Sequence, residues 1–282
     1  HWDVPIDRAI AGGLAADRPA WAFTAGYQAA IQQLGALLDL DTASELGAIC
    51  VTEKGGAHPS GIKTRLSPVP GKPGYVMLNG HKIFITGADE ADILWVAAST
   101  GYMPDGRNQL RMIRVPAGGP GISLTPMPPL GIVPEISHAR VKFNSVVVND
   151  SNLLQGDGYI NGIKPFRTLE DLHVTAAFLA WMFGIGRRSQ WPTDILESIL
   201  SVMTGLRGLA FGPPLAPHVH IALGGLMADT HRIISNAVPM WERVDAATRQ
   251  YWQRDKKILD IAQSARQARL AAAWKKYTSK PD

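Results

Sequence analysis

The residue types best suited to chemistry sit in two short stretches. Thr52-Glu53-Lys54-Gly55-Gly56 ends the apolar run Ala48-Ile49-Cys50-Val51, and His81-Lys82-Ile83-Phe84-Ile85-Thr86 follows Tyr75-Val76-Met77-Leu78 and an Asn79-Gly80 pair. The glycine pair permits positive φ and lets the backbone approach a ligand closely. Asn-Gly between apolar runs predicts a tight hairpin turn. Farther on, Thr168-Leu169-Glu170-Asp171 fits a helix N-terminus, with Thr168 as cap and the acids favoured by the helix dipole. Cys50 is the single cysteine and, inside an apolar run, reads as a buried small hydrophobe. His218-x-His220 would put its imidazoles on different faces of a helix, with no clustered carboxylates, which argues against a metal site. No Gly-x-Ser-x-Gly elbow is present to support a Ser-His-Asp hydrolase.

The elements that must position these residues follow from hydrophobic period and breakers. Residues 1–19 read as irregular, punctuated by Gly12-Gly13 and Pro19. Trp21, Phe23, Tyr27, Ile31, Leu34, Leu37 and Leu38 recur at helical spacing and predict one helix over 20–38. Residues 47–150 read as all-β, with strands at 48–53, 64–69, 75–86 (both arms of the hairpin), 93–99, 109–115, 122–126 and 139–148. Short strands between Gly and Pro turns predict a barrel or sandwich. From 159 the pattern is helical, with helices near 160–185, 193–210, 216–236 and 240–277, broken at Pro192, Pro213-Pro214 and Pro239. The expected class is α+β: a short N-terminal helical segment over 1–46, a middle β domain over 47–150 and a C-terminal helical bundle over 151–282.

Composition narrows the function classes. The chain has 282 residues, 46% hydrophobic and 18% charged, as expected of a globular protein with a substantial core. No apolar run reaches the roughly 18 residues of a membrane span, and the N-terminus lacks the pattern of a signal peptide. A lone cysteine excludes an intrachain disulfide and fits a reducing compartment, so a cytoplasmic location is expected. The net charge of +4 suits anionic ligands. No basic run interleaved with aromatics points to nucleic acid.

Three motifs in order resemble the acyl-CoA dehydrogenase family of flavoenzymes: Thr52-Glu53-x-Gly55, Asn79-Gly80-x-Lys82-x-Phe84-Ile85-Thr86, and Ala91-Asp92 before Ile93-Leu94-Trp95-Val96. Leu130-Gly131, Ala139–Val148, Asn152-Leu153-Leu154 and Gly156-Asp157-Gly158 extend the likeness over residues 20–185. The resemblance implies FAD as cofactor, bound through Cys50, Val51, Thr52, Ala57, Phe84, Ile85 and Thr86. It also implies that Arg207, ahead of Phe211-Gly212, reaches the flavin of a second subunit in a homodimer or tetramer. The implied reaction is α,β-dehydrogenation of an acyl-CoA thioester, with electrons passing to a separate acceptor that the sequence does not name. Family members place the catalytic glutamate on a late loop, for which no equivalent is found, or on the first long C-terminal helix in a Leu-Glu-Arg context. Leu169-Glu170 matches the second position and makes Glu170 the candidate base, although Asp171 replaces the arginine.

The departures define the rival readings. Ala57 stands where the family has serine, Pro59 removes an N–H donor, and His58 reads as a solvent-facing loop residue. The N-terminal helices are fewer than the family's. Its Gln/Gly-Gly flavin segment is not recognised, and Gly224-Gly225 reads as close helix packing instead. These features suit a family-derived binding or partner subunit that has lost catalysis. A third reading keeps the flavin for oxygen chemistry, as in hydroxylase relatives.

Overall fold

The computed structural model describes residues 3–279. The chain divides into two compact units, one holding the sheet (34–130 and 134–166) and one holding most of the helices (up to 33, 131–133, and from 167 on).

The sheet unit contains, among the described residues, β1 (Gly47–Cys50), β2 (Arg65–Pro68), β3 (Tyr75–Thr86), β4 (Ile93–Tyr102), β5 (Asn108–Pro116), β6 (Ile122–Pro126) and β7 (His138–Asn149). These form one sheet in the order β1-β4-β2-β3-β7-β6, with β5 on β4. β1 runs parallel to β4, β2 meets β4 at a single parallel pair, Arg65 with Ser99, and β5 runs antiparallel to β4. Buried residues from β1, β2, β3, β4, β5 and β7 form a single apolar cluster, including Cys50, Leu78, Ile85, Val96, Ile113, Val141 and Phe143. One sheet enclosing one core must curl around it. Each large side chain fully buried there contributes about 1.5–3 kcal/mol.

The Asn79-Gly80 pair is not a hairpin turn. β3 runs unbroken from Tyr75 to Thr86 along β7, and the pair sits at a register shift. Leu78 faces Val146 and Gly80 faces Phe143, so β7 carries one extra residue there. The extra residue, with Ser145 at φ 51°, keeps Val146 and Val148 on the inner face already set by Ala139, Val141 and Phe143. Asn79 Oδ1 accepts the bulged Ser145 N–H at 2.7 Å. Glycine is required at 80 because a Cβ would lie 2.6 Å from Thr64 Cα. The Asn-Gly signal therefore marks a bulge and a close approach between strands.

The helical elements are α1 (Pro5–Ala15), α2 (Pro19–Leu37), α3 (Lys164–Arg188), α4 (Thr193–Leu209), α5 (Pro217–Asn236), α6 (Ala246–Asp255) and α7 (Gln263–Thr278). Residues 171–182 of α3 are buried without interruption, as expected of a helix packed on all sides. Phe178 and Trp181 on α3 join Trp241 and Trp252 in an aromatic cluster, with Trp241 and Trp252 stacked at 4.4 Å.

Two expectations are corrected in this unit. The N-terminal stretch contains α1, with Gly12 and Gly13 inside it. Their role is packing: a Cβ at Gly13 would overlap the carbonyl of Ala177 on α3, and one at Gly26 would come within 2.5 Å of the Val174 Cα. The last helix is also two helices. Pro239 opens a 3-10 turn over Val238–Arg243, Asp245 caps α6 by accepting the Thr248 amide at 3.0 Å, and a second 3-10 turn over Lys256–Asp260 leads to α7. No helix among the described residues is long and apolar enough to cross a membrane.

The packing yields a test. Gly13→Ala should lower the unfolding free energy by about 1–3 kcal/mol in a urea titration, because α1 must retreat from α3. An unchanged midpoint would show that this contact contributes nothing.

Candidate functional site

In the sheet unit the candidate site is built on a buried ion pair. Lys82 Nζ, on β3, donates to Glu53 Oε1 at 2.8 Å and to the Val51 carbonyl at 3.1 Å. The Lys82 side chain is fully buried, and Glu53 is nearly so. Glu53 also accepts the Lys63 amide at 2.9 Å, the Thr64 amide at 3.0 Å and the Thr64 hydroxyl at 2.8 Å. Burial pushes the Glu53 carboxyl up, but the Lys82 hydrogen bond and charge and the two amides outweigh it, so Glu53 stays below the usual carboxylate range. Burial lowers Lys82, and Glu53 partly restores it. The glycine-pair turn closes beside Glu53: Glu53 and Gly56 exchange backbone hydrogen bonds, and Gly56 adopts φ 101°.

The same pair fixes a second bulge. Lys82 faces Val141 and Ile85 faces Ala139, so β3 carries one extra residue between them. The Ile83 amide turns to the Thr52 carbonyl at 2.9 Å. Phe84 follows at φ 55°, an uncommon conformation for an aromatic residue, and is 49% exposed. Bulges re-aim side chains next to functional sites. Here the outcome is an aromatic face on the surface, with inward Ile85 and half-buried Thr86 after it and Thr52 bonded alongside.

The expected ligand-binding residues are thereby sorted. Thr52 and Thr86 are half-buried, and Phe84 is exposed. Cys50, Val51 and Ile85 turn their side chains inward, so only their backbones can meet a ligand. Burial pushes the Cys50 thiol up to about 12, which makes it inert. Ala57 is half-buried and precedes exposed His58, whose Nδ1 accepts the Ser60 amide at 3.3 Å and caps the 3-10 turn Pro59–Gly61.

Beside that turn lies a cavity of about 670 Å³, lined among others by His58, Ser60, Arg107, Arg111, Tyr159 and Lys164. Its acid, Asp157, is already engaged by the Tyr159 and Ile160 amides, both at 2.8 Å. The basic side chains give the cavity an anion-binding character. Sequence reasoning missed it because strand β5 and the turn before α3 come together only in the fold.

In the helical unit, Glu170 lies inside α3, which begins at Lys164 after a π-helical turn over Tyr159–Ile163. It is therefore not at a helix N-terminus, and Thr168 is no cap. Glu170 keeps partial solvent access, yet its packed surroundings, followed by the Asp171 charge, push its carboxyl up to about 7 against the pull of Arg269, Arg167 and Arg266. Asp171 is held by Arg266 at 3.0 Å and by Arg269. His173, fully buried, donates from Nδ1 to the Leu169 carbonyl at 2.7 Å, and burial drives it down to about 4, so it is neutral. Arg207, on the last turn of α4, makes a two-point pair with Asp7 at 2.6 and 3.0 Å. Among the described residues no group of three or more His, Cys, Asp or Glu could hold a metal.

Residues 48–146 match the model of the acyl-CoA dehydrogenase middle domain. The probable acyl-CoA dehydrogenase YngJ of Bacillus subtilis is 32% identical over 146 residues, 51% of this chain and 37% of that protein. YdiO of Escherichia coli K12, another probable acyl-CoA dehydrogenase, is 29% identical over 129 residues, 45% of this chain and 33% of that protein. The matched segment thus spans about a third of the length of these curated relatives. The fold is shared with butyryl-CoA dehydrogenase of Megasphaera elsdenii (TM-score 0.68, 19% identity, 95% of this chain and 81% of that one). It is also shared with FMN-bound TdsC of Paenibacillus sp. A11-2 (TM-score 0.72, 15% identity, 95% and 82%).

The buried pair makes a two-part prediction. Lys82→Met should destabilise the sheet unit by about 3–5 kcal/mol, because Glu53 is left buried and uncompensated, and adding Glu53→Gln should recover part of the loss. Glu53 is depressed in the folded state, so its stabilisation is full above the unfolded value of 4.5 and disappears as pH falls through the lower folded value. Thermal midpoints against pH should show an acid limb that flattens in Glu53→Gln. An equal limb in both proteins would contradict the assignment.

Proposed function

We propose, from the match of residues 48–146 to the acyl-CoA dehydrogenase middle domain and the fold shared with such enzymes, that this chain is a flavin-dependent oxidoreductase of the acyl-CoA dehydrogenase family that dehydrogenates an acyl-CoA thioester between its α and β carbons. The observation that carries this reading is Phe84, held exposed at φ 55° on a bulge anchored to Thr52. An apolar aromatic side chain kept in a strained, exposed position has no packing purpose of its own. It suits the face of a planar ring. Thr52 and Thr86 supply hydroxyls for the ring's polar edge, and the backbone of Cys50, Val51, Ala57 and Ile85 completes that wall. The residues present fit a flavin, FAD in the first instance. The buried Lys82 ammonium takes no part, since Glu53 and Val51 consume it.

When bound, the flavin supplies the acceptor for the hydride leaving the β carbon. The chain's own residues supply the rest. Glu170 takes the α proton onto its carboxylate, and a value near neutrality suits a general base working at cellular pH. The basic cavity of Arg107, Arg111 and Lys164 holds the phosphate-bearing end of coenzyme A. Arg207 contributes to the flavin of a second copy in a homo-oligomer, and the lone cysteine supports a cytoplasmic setting. The rival, a family-derived binding subunit without catalysis, draws on Ala57, which offers no hydroxyl where the family has serine.

With acyl-CoA and an artificial electron acceptor, kcat/KM should rise as pH increases through about 7, as Glu170 loses its proton. Glu170→Gln should cut the rate by about 10²–10⁴. Flavin oxidation by oxygen in that variant should persist. A Glu170→Gln enzyme that dehydrogenates at the normal rate would remove Glu170 from the mechanism.

A further inference from the structure

Glu170 and Asp171 are adjacent acids on α3, and the fold treats them differently. Asp171 takes two guanidiniums from α7: Arg266 Nη1 donates to its Oδ1 at 3.0 Å, and Arg269 Nη2 donates to its Oδ2. Arg266 is held in turn by the Leu259 carbonyl, on the 3-10 turn before α7. Burial pushes the Asp171 carboxyl up, and the two arginines pull against it. Glu170 is acted on by burial and by charge, with no hydrogen bond among the forces on its carboxyl. It keeps partial solvent access, whereas Asp171 is buried. The charges that reach Glu170 are Asp171 and Arg167 on its own helix and Arg269 and Arg266 on α7. His173 is neutral, α2 carries no charged side chain, and His220 and His231 of α5 border a cavity of about 200 Å³ with the two arginines.

A carboxylate that accepts a charge-assisted hydrogen bond from arginine is held ionised, with its lone pairs occupied. It is then a poor base. Two acids one residue apart compete for the same cations, and environments that differ this way set neighbouring carboxyls to different tasks. We infer that Asp171 is a positioning residue for Glu170: it draws both α7 arginines onto itself and leaves the neighbouring carboxyl unpaired and open to solvent for proton transfer. The inference rests on the reading of Glu170 as the base and adds what keeps that base competent.

The test uses the full chain in two arms. In the flavin-free protein, the Glu170 carboxyl carbon is followed by NMR against pH, assigned as the resonance missing from Glu170→Gln. The wild-type titration should centre at about 7. Asp171→Asn releases the arginines and should lower it by about 1–3 pH units, the effect of an opposite charge at close range. Adding Arg266→Gln and Arg269→Gln in that background should raise it again. Arg269→Gln alone, which leaves Arg266 on Asp171, should move the wild-type titration upward, and it carries the test if Asp171→Asn does not fold. In the second arm, the acid limb of kcat/KM with acyl-CoA and an artificial acceptor should follow the same shifts. A titration that stays in place in Asp171→Asn while the thermal midpoint falls would make Asp171 a strut between α3 and α7 and overturn the proposal. An unmoved titration in Arg269→Gln would overturn it as well. A wild-type chain without dehydrogenase activity would overturn the reading of Glu170 as the base, while the carboxyl titration still decides which acid holds the arginines.

Discussion

The sheet unit depends on one fully buried ammonium group. Lys82 Nζ satisfies itself on the Glu53 carboxylate and the Val51 carbonyl, and Glu53 spends its remaining acceptor capacity on Lys63 and Thr64. A lysine at this depth is unfavourable unless paired, and the pair breaks at heavy cost if either member is lost. The interaction is thus a constraint more than a source of stability. It ties β3 to the loop after β1, so the Thr52 backbone must lie where Ile83 can bond it. The bulge at Ile83-Phe84 is the geometric consequence.

Strain and close approach appear where this scheme requires them. Phe84 takes a positive φ because the extra residue on β3 leaves it no partner on β7. Gly80 is required where β3 passes over Thr64, whose amide and hydroxyl donate to Glu53. The helical unit uses glycine for a different purpose: Gly13 and Gly26 let α1 and α2 approach the buried stretch of α3 more closely than a side chain would permit. Within α3 the buried run begins just after Glu170, which raises its carboxyl toward neutrality without closing it to solvent.

Much of this was legible in the sequence, and the failures have physical reasons. The strand regions are legible where apolar residues meet the core, by alternation in Ala139, Val141 and Phe143 and by an unbroken apolar run in β4, although β3 reads as two hairpin arms. The Asn79-Gly80 pair misled because the same dipeptide serves a turn and a bulge, and only Thr64 and Ser145, distant in sequence, decide between them. Gly12-Gly13 hid a helix because intrinsic propensity does not include the close contact with Ala177 that calls for glycine. Glu170 read either as a base or as an acid near a helix start capped by Thr168, and the π-helical turn places the start of α3 well ahead of both. The basic cavity gave no signal, since the meeting of β5 with the turn before α3 exists only after folding.

In the proposed reading, the bulge anchored by Lys82 and Glu53 presents a working flavin surface. The most direct measurement is the visible absorption spectrum of the purified chain after incubation with FAD or FMN and removal of free cofactor by gel filtration. Resolved flavin bands should stay with the protein and bleach when an acyl-CoA thioester is added without oxygen. A protein that emerges colourless from both incubations would contradict that reading and leave a binding subunit without redox chemistry as the description of this chain.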